Sequence, residues 1–86
     1  MKEFTYVIQD ALGIHARPAG MLAKKAKSYA DTTVTITANE KTVNAGQLIK
    51  LMGLGVKQGT EVTITCEGAH EEEAAAGLKQ FLEENL

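Results

Sequence analysis

Apolar and polar residues along the chain repeat with two different periods, and together they predict seven elements. Phe4, Tyr6 and Ile8 alternate with Thr5, Val7 and Gln9, the period-two signature of a strand. The stretch from Asp10 to Gly13 breaks it. Ala19, Leu22, Ala23, Ala26 and Ala30 then recur at helical spacing, with Lys24, Lys25 and Lys27 elsewhere on the same helix, which should run from about Ala16 to about Tyr29. From Thr33 to Ala38 the alternation returns, with Val34, Ile36 and Ala38 on one face and threonines on the other. β-branched residues favour such pleated surfaces. Asn39-Glu40 reads as a tight turn and Lys41 to Asn44 as a short return strand. An apolar helical stretch around Leu48, Ile49, Leu51, Met52 and Leu54 follows, with Gly53 and Gly55 as natural stops.

Gln58-Gly59 marks another turn, after which Val62, Ile64 and Cys66 share one face of a strand over Glu61 to Cys66. The last helix spans His70 to Leu82. Its three opening glutamates match the positive end of the helix dipole, and Ala74, Leu78, Phe81 and Leu82 form its buried stripe. Gly77 inside it costs about 1 kcal/mol relative to alanine, which points to the close approach of another backbone. The element order is strand, helix, strand, strand, helix, strand, helix. Threonines on one sheet face and aliphatics on the other predict an antiparallel sheet, covered by helices on one side and wet on the other. The expected class is α+β, an open-faced sandwich of four antiparallel strands and three helices.

Composition bounds the rest. Eighty-six residues suffice for one domain, here 1–86, and 44% hydrophobic with 23% charged residues is ordinary for a globular chain. With no Trp, two Phe and two Tyr, the core must be mostly aliphatic. The net charge of −2 gives no general pull on nucleic acid. A single cysteine, Cys66, precludes an internal disulfide, and no apolar run approaches the ~20 residues of a membrane span. A cytoplasmic monomer without membrane insertion is expected.

The chemistry concentrates in Leu12-Gly13-Ile14-His15-Ala16-Arg17-Pro18-Ala19. Proline is tolerated in the first helical turn, where the amide hydrogen it lacks would have no intrahelical partner. His15 therefore falls at or next to the N-cap, ahead of amides without acceptors. Those amides and the dipole favour an anion, and Arg17 adds a planar cation suited to phosphate. The ordinary role of a histidine near a helix start is a surface or capping residue. Neutral imidazole, however, carries a lone pair able to attack phosphorus, and transfer needs positioning and charge stabilisation more than covalent machinery. Ala16, Arg17 and Pro18 frame the proposed phosphate pocket. No metal and no cofactor are expected, since His15 needs its attacking nitrogen free. Cys66 reads as an inert buried thiol, and no local spacing supports a His15, Cys66 and His70 metal site.

With this motif, the element order and the segment from Lys41 to Gly55 in place, the chain resembles HPr, the histidine-containing phosphocarrier family of the bacterial phosphoenolpyruvate-dependent sugar phosphotransferase system. The resemblance spans the whole chain. It implies that His15 is the residue phosphorylated, on Nδ1, and that Arg17 accompanies the phosphate. It implies that enzyme I and enzyme IIA domains are the partners. The protein would then be a stoichiometric carrier rather than an enzyme. Many members carry a regulatory serine at the start of the second helix. Aligned on Lys41-Thr42-Val43-Asn44 and Leu48, that place holds Gln47, which has no hydroxyl to phosphorylate.

The short helix has more apolar side chains than one buried stripe uses. Leu48, Ile49 and Met52 are expected to form an exposed patch beside His15, framed by Arg17, Lys24 and Lys27, although burial of the apolar residues and plain solvation of the lysines are the simpler alternatives. Met adapts well to several partners. A regulatory relative serving another phosphorelay shares these features. A nucleic-acid or small-ligand domain is disfavoured by the acidic balance and by the lack of stacking aromatics and of a glycine-rich phosphate loop.

Overall fold

A computed structural model describes residues 1–86. The elements are β1 (Lys2–Val7), α1 (Ala16–Lys27), β2 (Thr32–Ala38), β3 (Lys41–Asn44), α2 (Leu48–Met52), β4 (Glu61–Gly68) and α3 (Glu71–Asn85). The strands form one sheet in the order β1-β4-β2-β3, with every neighbouring pair antiparallel. This is the open α+β sheet with three helices expected from the periodicity.

Register explains why one sheet face is dry. Phe4, Ile64, Ile36 and Val43 lie in one row across all four strands, and Thr5, Thr63, Thr37 and Thr42 lie in the next. Because side chains alternate between faces, the first row meets the helices and the second meets water. Ile36 and Ile64 are fully buried, with Phe4 and Val43 packed against the core beside them. On the outer face Thr37 and Thr42 share a hydroxyl hydrogen bond of 2.8 Å. The helices add Leu22, Ala23, Leu51, Leu78 and Leu82, and no polar or charged residue is buried.

Boundaries differ from expectation where local hydrogen bonds intervene. β1 stops at Val7, but Ile8 remains buried and bonds to the turn at Gly59 and Thr60. α1 ends at Lys27, two residues before Tyr29, because Ser28 turns both its N–H and its hydroxyl onto the Lys25 carbonyl. Ala30 is consequently exposed and not part of the buried stripe. α3 continues to Asn85, past Leu82. The Asn39-Glu40 turn has positive φ at both residues (51° and 66°), the conformation that matches strand twist in a two-residue hairpin.

Gly77 does admit a close neighbour, but it is a side chain, not a backbone. A methyl at this position would overlap the Tyr29 hydroxyl. Helices α1 and α3 lie side by side, and the aromatic ring leaving the end of α1 fills the notch.

Candidate functional site

The loop between β1 and α1 is fastened on every side. Gly13 has φ +68°, and its Cα faces the Val56 carbonyl so closely that any Cβ would collide with it. Glycine is thus required twice over, for conformation and for space. Ile14 donates to that same carbonyl at 3.2 Å and is buried. From the other end of the chain, the Leu86 main-chain oxygen accepts from both Gln9 and Asp10 N–H, and Gln58 Nε2 donates to the Gln9 carbonyl at 3.0 Å. A rigid support therefore precedes His15.

His15 is the N-cap of α1, with extended backbone (φ −105°, ψ −178°). Its carbonyl accepts from Ala19 N–H at 2.9 Å, yet its side chain makes no capping bond. Pro18 has no N–H, and Ala16 and Arg17 open the helix, so their N–H groups have no intrahelical acceptor. No acidic residue occupies this first turn. The imidazole is 38% exposed, and it lines a surface depression with Asp10, Arg17, Pro18, Met21 and Asn85. Arg17 makes no ion pair within the chain, which leaves its guanidinium available to an incoming anion. A nucleophilic ring, two free amides and an unpaired guanidinium thus meet at one helix start.

This combination suits phosphoryl chemistry at a histidine, through positioning and charge stabilisation. The family model for the PTS HPr component phosphorylation site matches residues 2–84. The chain belongs to the HPr family. It is 41% identical to phosphocarrier protein HPr of Mycoplasma genitalium over 85 residues, covering 99% of this chain and 97% of the relative. It is 40% identical to phosphocarrier protein HPr of Mycoplasma capricolum over 82 residues, covering 95% and 91%. The fold superposes on the crystal structure of HPr-C-His from Thermoanaerobacter tengcongensis with a TM-score of 0.91 at 37% identity, over 96% of this chain and 92% of that one. As an HPr-family member the protein is a phosphocarrier of the phosphotransferase system.

The other expected residues fall into two groups on this HPr scaffold. Leu48, Ile49 and Met52 project from α2 and are 40%, 85% and 45% exposed, while Leu51 on the opposite side is fully buried. Lys27 shares a shallow groove with Gln47, Leu48, Ile49 and Lys50. Lys24 does not join them. It sits on the α3 flank, in a groove with Met21, Lys25, Ser28 and Phe81. Met21 lines both this groove and the His15 depression, so it links the imidazole to the α1 surface.

Gln47 is the N-cap of α2 and, like His15, provides no side-chain cap. Cys66 is buried in the core and His70 is exposed at the head of α3; they are not gathered with His15 into any cluster able to hold a metal. Burial pushes the Cys66 thiol above its ordinary range, and the Glu71 carboxylate adds to this.

Asp10, Met21 and Asn85 are the site residues that sequence reasoning missed. Met21 had a signal, since it stands four positions after Arg17 on the same helix face. Asn85 had none, because only the docking of α3 brings it here.

Proposed function

We propose that His15 accepts a phosphoryl group on Nδ1 from enzyme I and passes it to enzyme IIA domains of sugar transporters. The chain acts as a monomeric single domain, 1–86, in the cytoplasm. The observation that carries this reading is the N-cap imidazole, which is free of any capping bond and open to solvent beside the unpaired Arg17. Ala16 and Arg17 amides hold equatorial phosphate oxygens, Pro18 shapes the turn and Arg17 balances charge. One guanidinium, rather than a cage of cations, keeps the group transferable, since a carrier must also release it. Leu48, Ile49 and Met52 form the apolar contact for partners, with Lys27 beside them and Lys24 on the other flank supplying charge that steers acidic surfaces.

The test mixes the protein with enzyme I, phosphoenolpyruvate and magnesium. A gain of one phosphate that survives base, is lost in acid and is absent from His15→Ala is expected. An adduct retained in His15→Ala removes His15 from the carrier role.

A further inference from the structure

A carboxylate stands in this anion-binding depression, where simple electrostatics disfavours it. Asp10 Oδ1 lies 3.9 Å from His15 Nε2. The aspartate is held from several directions: its N–H donates to the Leu86 oxygen at 2.9 Å, its carbonyl accepts from Gly13 N–H at 2.9 Å, and Oδ1 accepts from Leu12 N–H at 2.8 Å. The last bond could be made equally well by an asparagine. What the negative charge adds is an electrostatic pull on the imidazole from 3.9 Å, longer than a hydrogen bond.

An ionised carboxylate only accepts hydrogen bonds. Fixed beside one ring nitrogen, it favours the tautomer that carries the proton on that nitrogen. We propose that Asp10 is the positioning residue for phosphoryl transfer, holding the proton on His15 Nε2 so that the lone pair resides on Nδ1. The proposal rests on the phosphocarrier reading above. In the transfer, the Nδ1 lone pair forms the new nitrogen–phosphorus bond while the bond from phosphorus to the donor breaks and its electron pair leaves with the donor. The Nε2 proton stays in place, the ring becomes cationic, and the Asp10 carboxylate balances that charge from the side away from the phosphate. Release reverses the same bonds. Separations of this size at acid–base sites shorten when the partner closes over them.

The test uses the full chain. Nitrogen-15 NMR of the unphosphorylated protein, at a pH where the ring is neutral, reads the two tautomers in wild type, Asp10→Asn and Asp10→Ala. Asparagine keeps the acceptor for Leu12, so a change in that variant reflects the lost charge rather than a collapsed loop. The Nε2–H form should dominate in wild type, and its ratio to the Nδ1–H form should fall several-fold in Asp10→Asn. Phosphorylation of His15 by enzyme I should slow about tenfold in the same variant. An unchanged tautomer ratio in Asp10→Asn, with a wild-type adduct present, overturns the proposal alone. If wild-type His15 takes no acid-labile phosphate, the proposal falls together with the carrier reading.

Discussion

The Tyr29 hydroxyl occupies the space that a side chain at Gly77 would need. Helix α3 therefore has a glycine in its interior for a packing reason, and Lys25 covers the other part of the ring with its ammonium 5.8 Å from the centroid. Replacing Gly77 with alanine should lower stability by about 1–2 kcal/mol, because overpacking outweighs the gain in helix propensity. In a Tyr29→Ala background the same change should raise stability by up to about 1 kcal/mol. Urea denaturation of the four chains measures both; additive effects would show that the ring does not govern position 77.

His15 stands where a helix would be better served by a capping side chain. His15→Asn should stabilise the protein by about 1 kcal/mol, since its amide oxygen can accept from the free amides of the first turn. The same variant should take up no phosphate from enzyme I. A lower melting temperature for His15→Asn would show that the imidazole contributes to stability after all.

Gln47 leaves α2 uncapped and offers no hydroxyl. The native chain should gain no acid-stable phosphate from a serine-directed HPr kinase and ATP, read by intact mass. Gln47→Ser should gain one, and should also be about 0.5–1 kcal/mol more stable than the native chain.

Met52 is 45% exposed on the face of α2 away from the core. Met52→Glu should slow transfer from enzyme I about tenfold or more, the range of an interface anchor, with the melting temperature unchanged. Equal transfer rates would remove the α2 patch from partner binding.

Glu71 carries a pH-dependent contribution to the fold. A hydrogen bond from the chain's amino terminus, with a second from Gly68 N–H, holds its carboxyl below the usual carboxylate range. A folded value below the unfolded one stabilises at pH above the unfolded value and loses that contribution as pH falls through the folded value. Glu71→Gln should therefore melt lower than wild type at pH 7, and the gap should close in acid. A gap independent of pH would assign the effect to packing.

Local chemistry was legible because it depends on near neighbours. The period-two strands predicted the sheet faces, and the histidine, arginine and proline at the start of α1 predicted the free amides. Termini of elements were less legible, as at Ser28, where one hydroxyl and one amide choose a carbonyl that propensity does not specify.

The sequence alone determined the element order, the buried and wet faces, and the helix-start position of His15 beside Arg17, because each follows from spacing along a few residues. Only the tertiary structure decided that Asp10 and Asn85 line the depression that holds that imidazole, that Lys24 and Lys27 look onto different grooves, and that Tyr29 explains Gly77. Asp10 reaches the imidazole through the fold of the β1–α1 loop. Asn85, Lys24 and Gly77 owe their neighbours to the docking of α3 on β1 and α1, and Lys27 owes its groove to α2 beside α1, contacts between chain segments too distant for any local pattern to record.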